Sequence, residues 1–405
     1  MTIPRRTFLK TTMTAAAATS LKPATLRASL LPEARPPEDR FDPWIEVDRR
    51  ALEANVAEVR RLTNGRPILA VIKNNAYGLG LVIAARLLES LPEVAGFAVV
   101  KTASAFALRE AGITKPVHLM ARFPRSAAAD LARHHIQPCL YSDDALGLVE
   151  PMERVLGAPV PAQVYLDTGM SRMGVPYHRA LPWIDSLARS GKVSIQGVFM
   201  GFTEDPDFDR EQLKRFLSVA DRASEAGVGL GTLHTASSSA VFELPEAHLH
   251  MVRPGMALYG GYPNDPRAQR TKANLRCTVR LKARVVRVER LRPGDSVSYG
   301  RHYVAHEPTW VATLPAGHTD GYPRRAVEGA RVLIGSRTYP VIGAVSASHT
   351  IVEVGSEESV RVGDIATLMG PDAPEIDPNG ISVETGVSVY DLFMHLNPSL
   401  PRFLV

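Results

Sequence analysis

The sequence predicts a parallel (β/α)8 barrel followed by an all-β domain. Between about residues 66 and 260, short β-rich runs recur every 20 to 35 residues, with helix-like stretches between most of them. After about residue 270 the pattern changes to the period-two alternation of half-buried strands. With 405 residues the chain is long enough for two domains. We assign residues 44–268 to the barrel domain and 269–405 to the β domain.

The N-terminus predicts an export signal. Pro4-Arg5-Arg6-Thr7-Phe8-Leu9-Lys10 precedes a mildly apolar, alanine-rich stretch and small residues toward Ala28. A basic region, an apolar region and small residues in this order indicate a secretory signal. The paired arginines resemble the twin-arginine signal of bacteria, which predicts a periplasmic or secreted protein. A basic N-terminal arm is the alternative. We interpret residues 1–28 as the signal and 29–43 as a proline-rich linker.

The barrel strands are predicted from apolar runs, and the last of them is the least regular. The predicted strands are Ile68–Ile72, Phe97–Val100, Val117–Met120, Pro138–Tyr141, Ala162–Leu166, Ile195–Met200, Thr232–Thr235 and Met251–Tyr259. The predicted helices are Leu79–Leu91, Ala103–Ala111, Ser126–His134 and Arg210–Ala226. The eighth run contains a proline and a glycine that interrupt a strand. In such barrels the reactive groups lie at the carboxyl ends of the strands.

The β domain is predicted from alternation and turn residues. Thr278–Glu289 shows period-two alternation, and Pro293-Gly294-Asp295 is a turn. Further strands are predicted at Ser296–Ser298, Thr309–Thr313, Arg331–Ile334, Tyr339–Val345 and Thr350–Val354.

Charge and composition argue against several classes of partner. Five of the 47 basic residues lie in residues 1–28, which leaves 42 against 42 acidic residues, so the rest of the chain is formally neutral. A nucleic-acid partner therefore has little support. No apolar stretch is long enough for a transmembrane helix. Cys139 and Cys277 could pair in an oxidising compartment, but spacing does not decide this, and two thiols give no case for a metal site.

The strongest chemical signal is Ala70-Val71-Ile72-Lys73-Asn74-Asn75-Ala76-Tyr77-Gly78-Leu79-Gly80. An apolar strand ends in a lysine, and a loop with two glycines leads into a helix. Partial burial at a strand end lowers the pKa of a lysine and suits it to Schiff-base chemistry. The alternative is a lysine whose amine reaches out to solvent.

A second segment, Asp295–Arg301, contains Ser298-Tyr299-Gly300 and is followed by Ala316–Arg324. A phenol near a cation could act as a general base opposite the lysine. The alternative for Tyr299 is a tyrosine packed within a strand.

Together these segments resemble alanine racemase and its broader-specificity relatives over roughly residues 44 to 403. That family carries pyridoxal phosphate (PLP) on an N-terminal barrel and acts as a homodimer. The resemblance implies that Lys73 binds PLP and is one of two bases, and that Tyr299 is the other, contributed by the partner subunit. Arg253 would face the pyridine nitrogen, and Arg172, in Asp167–Gly174, would bind the substrate carboxylate.

The resemblance also implies the residues that hold the cofactor phosphate. They are Tyr77, Ser238 and the backbone of Gly255 and Met256, and His234 opens the matching segment His234-Thr235-Ala236-Ser237-Ser238. Ala347 would lie near the substrate, in the segment Ser346-Ala347-Ser348.

Several residues depart from the family pattern. The histidine expected to support the pyridine-facing arginine is replaced by Gly201, in Met200-Gly201-Phe202. Tyr165 stands where the family has a lysine that braces the carboxylate-binding arginine. His318 replaces a tyrosine, and Ser348 replaces an aspartate. These changes predict either a pocket shaped for amino acids other than alanine or an eroded activity.

We therefore expect an exported, PLP-dependent amino-acid racemase, and the sequence does not identify its amino acid. A PLP-binding protein without turnover is one alternative, and another PLP enzyme of the same fold, such as a decarboxylase or aldolase, is a second. Arg253 argues against the decarboxylase, which normally places an acid at the ring nitrogen. His134-His135 and the acidic loop Glu204–Asp209 are expected to be solvated rather than to bind metal.

Overall fold

The computed structural model describes Pro36 and residues 38–405. The predicted signal, residues 1–28, lies outside the described residues. The first part holds β1 (Trp44–Val47), α1 (Arg49–Leu62), β2 (Ile68–Val71), α2 (Lys73–Tyr77), α3 (Leu81–Glu89), β3 (Val94–Val99), α4 (Thr102–Glu110), β4 (Val117–Leu119), α5 (Ala128–Arg133), β5 (Ile136–Leu140), α6 (Ala145–Leu156), β6 (Val160–Asp167), β7 (Val175–Pro176), α7 (Tyr177–Arg189), β8 (Val193–Phe199), α8 (Pro206–Glu225), β9 (Thr232–His234), α9 (Ser238–Glu243) and α10 (Pro266–Arg270).

The remainder is mostly strand. It holds β10 (Val279–Arg284), β11 (Arg287–Leu291), β12 (Ser296–Val297), β13 (Tyr303–Val304), β14 (Thr309–Leu314), β15 (Arg331–Ile334), β16 (Arg337–Ile342), β17 (Thr350–Gly355), β18 (Ile365–Met369), α11 (Pro378–Thr385), α12 (Val389–Met394) and β19 (Arg402–Leu404).

The predicted barrel is confirmed, with a shorter closing segment than expected. Its parallel strands follow the order β2-β3-β4-β5-β6-β8-β9, and β7 pairs with β6. The eighth position is a single parallel bridge between Ile68 and Val252, flanked by the amide of Leu69 donating to Val252 O at 2.9 Å. The predicted strand Met251–Tyr259 is wrong beyond this point, because Met256–Tyr259 forms a 3₁₀ turn.

A nine-stranded sheet forms the second layer, in the order β11-β14-β17-β16-β15-β18-β10-β1-β19. Strand β1 pairs antiparallel with β10 and parallel with β19, so the first described strand completes this sheet although the prediction places residues 44–47 in the barrel domain. The predicted strand Thr278–Glu289 is divided into β10 and β11. Two helices, α11 and α12, interrupt a region that alternation predicts to be entirely β.

The sheet domain contacts the barrel at the loop that carries Lys73. Arg402 Nη2 donates to Gly78 O at 2.8 Å, and its Nε donates to the same oxygen at 3.1 Å. A Cβ on Gly78 would lie 2.1 Å from Phe393 O, at the end of α12, so only glycine permits this approach. The end of the chain therefore fixes the turn that follows the first barrel strand.

Other predictions concern features far from this loop. Cys139 and Cys277 are both buried and free, so they do not form a disulfide. Within residues 38–405, no helix is long and apolar enough to cross a membrane.

Candidate active site

Seven of the predicted site residues line one cavity of about 260 Å³ at the carboxyl ends of the barrel strands. They are Lys73, Tyr77, Arg172, Ser238, Arg253, Gly255 and Met256. Because these residues come from four separate segments of the barrel domain, the fold alone brings them together. An ammonium, two guanidiniums and a phenol in one concave site are groups that can bind an anion and move a proton.

Lys73 projects from the first turn after β2. The next four residues, Asn74–Tyr77, all have positive φ, between 51° and 58°, and thus form one left-handed turn. This conformation costs roughly 1–2 kcal/mol per L-residue in a helix, with asparagine among the better tolerated residues. The side chain of Asn75 stabilises the turn by accepting the Leu81 amide at 2.9 Å, where α3 begins. Strain of this kind is concentrated at functional sites.

Lys73 lines the cavity and is half-buried, which favours a reactive lysine over one whose amine reaches out to solvent. Its Nζ lies 6.0 Å from the centroid of the Tyr77 ring. Burial, and then the positive charge of Arg172, lower the pKa of Lys73 below its ordinary value. A lowered pKa makes the neutral, nucleophilic amine more available.

Tyr77, Ser238 and Gly255 form a close-packed wall of the cavity. The Tyr77 ring stacks on Tyr259 at 4.9 Å, and burial raises the pKa of its phenol. Ser238 Oγ accepts the amides of Gly255 at 2.9 Å and Ala257 at 3.1 Å. A Cβ on Gly255 would lie 2.2 Å from Tyr77 Oη, so this glycine is what lets the phenol reach the backbone.

Arg253 is buried and makes four hydrogen bonds. Nη1 donates to the carbonyl oxygen of His234 and to its Nδ1, the latter at 3.2 Å. Nη2 donates to Met200 O at 2.5 Å and to Thr235 O at 3.3 Å. Burial lowers the pKa of Arg253 to about 10, which leaves it protonated at neutral pH.

The expectation that Arg253 lacks a supporting histidine is therefore wrong. His234 ends β9, next to the segment that carries Arg253, and it provides this support in place of residue 201. Its Nε2 is 3.0 Å from Gln163 Oε1, so Nε2 carries the proton and Nδ1 accepts from the arginine. Burial and the charge of Arg253 lower the pKa of His234, which keeps the ring neutral for this role.

A layer of aromatic rings lies beside Arg253. Tyr165 stacks on Phe199 at 4.6 Å, and Phe199 stacks on His234 at 5.3 Å. The Arg253 guanidinium lies 5.0 Å from the Phe199 centroid. A Cβ on Gly201 would lie 3.1 Å from Tyr165 Oη, so the two departures at 165 and 201 are compatible because the tyrosine uses space that a larger residue 201 would need.

Arg172 and Glu204 bring opposite charges to the cavity. Burial and then Asp209 raise the pKa of Glu204, whereas Arg172 and Lys73 act in the opposite direction. Glu204 begins the acidic loop that the sequence predicts to be solvated, and it is exposed as expected. Its side chain also lines the cavity, which composition does not predict.

Tyr299 and Ala347 do not join the cavity within one chain. Tyr299 lies in a 3₁₀ turn with 77% of its surface exposed, so the alternative of a packed strand tyrosine is wrong. Ala347 is also exposed, and its carbonyl accepts the Thr319 amide at 3.1 Å and the Thr319 hydroxyl at 2.7 Å. This pairing joins the His318 segment to the Ser346–Ser348 segment on the β domain.

Among the cavity residues to which the sequence analysis gives no role are Tyr390 and Ser237. Tyr390, in α12, lines the cavity beside Tyr77, with ring centroids 6.4 Å apart. Ser237 Oγ is buried at the cavity and has no hydrogen-bond partner among the described residues. Its sequence context points to the right segment, but only the structure shows that its hydroxyl is uncommitted. No sequence signal marks Tyr390.

Comparisons with known proteins agree with this geometry. The family model for the alanine racemase N-terminal domain matches residues 47–263, and that for the alanine racemase C-terminal domain matches residues 278–404. Alanine racemase from Desulfovibrio desulfuricans is 33% identical over 368 residues, which cover 89% of this chain and 98% of the relative. Alanine racemase from Carboxydothermus hydrogenoformans is 34% identical over 368 residues, with 89% and 99% covered.

Solved structures give the same result. Alanine racemase from D-cycloserine-producing Streptomyces lavendulae superposes with a TM-score of 0.83 at 27% identity, covering 92% of this chain and 98% of that one. Alanine racemase from Bacillus anthracis with bound L-Ala-P superposes with a TM-score of 0.79 at 26% identity, covering 90% and 95%. With both domains matched in order and the cavity built from the segments that carry the resemblance, the chain belongs to the alanine racemase family.

Proposed function

We propose that this chain is a PLP-dependent amino-acid racemase that exchanges the proton at Cα between two bases. The single observation that carries the proposal is the convergence of Lys73, Arg172 and Arg253 on one cavity. Lys73 supplies the amine that carries PLP, and the same residue is one of the two bases. The two arginines supply fixed positive charge for different tasks, Arg172 for the substrate carboxylate and Arg253 for the pyridine nitrogen. The family is PLP-dependent and its curated members are isomerases.

The residues present fit PLP by their chemistry. A partly buried lysine of lowered pKa suits the aldehyde. The uncommitted Ser237 hydroxyl suits a phosphate, because it offers a hydrogen-bond donor near the Tyr77–Gly255 contact. We assign the phosphate to Tyr77, Ser237, Ser238, Gly255 and Met256, with Tyr390 beside them.

When bound, PLP withdraws electrons from Cα and thereby makes its proton acidic. Arg253 is assigned to the pyridine nitrogen. Because its guanidinium keeps its own protons at neutral pH, it cannot protonate that nitrogen fully. His234 and the carbonyl of Met200 hold the guanidinium in place. This restraint favours return of a proton to Cα over more demanding carbanion chemistry.

The substrate is positioned by Arg172, whose planar guanidinium suits a carboxylate. Lys73 takes or returns the Cα proton on one face. For the other face we propose Tyr299 of a second subunit, since the 77% exposed phenol is not part of its own chain's cavity. The homodimer proposal rests on this division of the two bases between chains.

We also propose export by the twin-arginine route and a substrate range broader than alanine. The first rests on Arg5-Arg6 and the stretch that follows. The second rests on the departures at Tyr165, Gly201, His318 and Ser348. N-terminal sequencing of the protein from a periplasmic fraction, with Arg5→Lys and Arg6→Lys together as the control, tests export. Mature protein that appears there equally in the double variant would contradict the route.

The decisive experiment is chiral chromatography of a panel of L-amino acids incubated with the mature protein and PLP. We expect D-enantiomers to appear, and to be absent with Lys73→Ala. Borohydride reduction followed by peptide mass spectrometry should find the cofactor on Lys73. If PLP is found on Lys73 while no amino acid of the panel is inverted, the racemase proposal fails.

A further inference from the structure

Glu204 is the one acidic residue that lines the cavity within the described part of the chain. It precedes α8, and the loop holds it in a defined position. Its amide donates to Asp209 Oδ1 at 3.1 Å, and the neighbouring Asp205 accepts the Phe208 amide at 2.9 Å as the cap of α8. Its backbone φ is +66°. The backbone of Glu204 is therefore anchored beside the cavity, and its side chain lines the cavity while it stays exposed to solvent.

Two charged side chains of the cavity, Glu204 and Arg172, do not form an ion pair with each other. Within residues 38–405, neither the Glu204 carboxylate nor the Arg172 guanidinium has an ion-pair partner within 4.0 Å, although each influences the other electrostatically. An α-amino acid brings one carboxylate, which matches Arg172, and one amino group, which exchanges with the amine of Lys73. With alanine, whose side chain is a methyl group, Glu204 is left facing the substrate without a partner.

We propose that Glu204 is a specificity-determining residue that selects substrates with a positively charged side chain, such as lysine, ornithine or arginine. The inference rests on the proposed function, because it concerns the substrate of the same site. A cationic side chain would pair with the Glu204 carboxylate, and partial exclusion of water strengthens the attraction. A neutral side chain of equal length gains no such attraction, and it would still remove water from the Glu204 carboxylate.

A competing role is that Glu204 orients Arg172 through its charge. Tyr165, which replaces the lysine that braces this arginine in the family, is uncharged and cannot do so in that way. The two roles differ in what they predict. A brace for the carboxylate-binding arginine acts on every amino acid equally, because all of them share the carboxylate. A selector acts only on substrates whose side chain is charged.

The test compares lysine with norleucine, which has the same carbon chain without the ammonium group. We expect the wild-type holoenzyme to racemise L-lysine with a higher kcat/KM than L-norleucine. In Glu204→Gln the ratio of the two values should fall about tenfold, mainly through the KM for lysine. An effect of the lost charge on Lys73 or Arg172 is shared by both substrates and cancels in the ratio. Since the ratio is internal to each variant, a partial loss of folded enzyme does not change it.

Asp207→Asn is the matched control. Asp207, in the first turn of α8, carries the same charge, but its side chain is fully exposed and it pairs with Arg210 at 3.7 Å. Its removal should leave the lysine-to-norleucine ratio unchanged. Calorimetric binding of α-methyl-lysine and α-methyl-norleucine, which have no Cα proton, should show the same preference without turnover.

The outcomes distinguish failure of the selector from failure of the proposed function. If no amino acid is racemised, the proposed function fails. If alanine is racemised and Glu204→Gln leaves the lysine-to-norleucine ratio unchanged, the selector is refuted and the racemase stands. A loss shared equally by alanine, norleucine and lysine would assign Glu204 to Arg172 and would overturn the selector as well.

Discussion

At the scale of single residues, Arg172 links the geometry of the cavity to substrate binding. Its guanidinium lines the cavity and has no ion pair to a carboxylate among residues 38–405. Two parallel hydrogen bonds from one planar group are lost when lysine replaces arginine. The residue is therefore available to a substrate carboxylate, which predicts an effect on binding more than on the proton transfer itself.

We expect Arg172→Lys to raise the KM for a racemised amino acid about tenfold, and Arg172→Gln to raise it further, with a smaller change in kcat. Steady-state kinetics with chiral detection measures both. Arg210→Gln, which removes an exposed arginine at the start of α8, is the control and should leave KM unchanged. An unaltered KM in Arg172→Gln would remove this residue from the carboxylate site.

Lys73 gives a prediction for the protein without PLP. Burial and the charge of Arg172 lower its pKa in the folded chain below the ordinary 10.5. Between the lowered pKa and 10.5 the unfolded chain binds more protons, so the free energy of unfolding rises with pH in this window. Below the lowered pKa the cost of burying the charged amine is present in full, and above 10.5 it is absent.

Lys73→Met should therefore raise the melting temperature of the apoprotein near neutral pH, and the gain should shrink as the pH approaches 10.5. Thermal unfolding at several pH values measures this. The exposed Lys101 gives the control, since Lys101→Met should show no pH-dependent gain. A gain for Lys73→Met that is constant with pH would mean that methionine packs better and that charge has no part.

At the scale of elements, the site depends on two segments that the sequence predicts only in part. Apolar runs predict the strands well because strands buried on both faces are continuous stretches of Val, Ile, Leu and Ala. The closing segment is different, because its pairing with β2 is short: it ends where Val71 donates its amide to Pro254 O at 3.0 Å, just before Gly255. The left-handed turn after Lys73 is also hidden, since asparagine and alanine are compatible with ordinary helical turns.

The same limit explains which site residues the sequence misses. Lys73, Arg172, Arg253 and Gly255 stand in motifs whose order identifies them. Glu204 resembles any acid in a charged loop, and only the fold brings it to the cavity. Tyr390 comes from α12, whose place beside Tyr77 is set by packing between the two domains. Local pattern contains no information on either contact.

A substitution at Gly255 tests whether the closing segment of the barrel takes part in PLP binding. A Cβ at this position would lie 2.2 Å from Tyr77 Oη, and Tyr77 is buried and stacked on Tyr259, so it cannot move aside at low cost. We expect Gly255→Ala to raise the dissociation constant for PLP about tenfold or more. Titration of the apoprotein with PLP measures this.

Gly229→Ala is the matched control for that experiment. A Cβ at Gly229 would meet nothing within 4 Å, and its φ is outside the left-handed region. The control should bind PLP as the wild type does. Unchanged PLP affinity in Gly255→Ala would mean that the phosphate lies elsewhere.

At the scale of the whole molecule, the arrangement of domains separates the two proposed bases. Lys73 is at the mouth of the barrel, whereas Tyr299 stands on the β domain with most of its surface exposed. Ser298 Oγ donates to Ala344 O at 2.9 Å, which fixes this turn near the segment Ser346–Ser348. An exposed phenol on a braced turn is placed to enter a second subunit, which predicts that neither chain alone holds a complete site.

Mixing two inactive variants tests this division directly. Lys73→Ala and Tyr299→Phe are each expected to be inactive as homodimers, because every site then lacks one base. In a mixed dimer with exchanged tyrosines, one site carries both substitutions and the other carries neither. Random reassortment makes about half of the dimers mixed, so co-expressed or co-refolded variants should recover about a quarter of wild-type activity. If Tyr299 served its own chain, every site of the mixture would lack one base. Activity at the level of the separate variants would then refute the shared site, and native mass spectrometry of the mixture measures the fraction of mixed dimers.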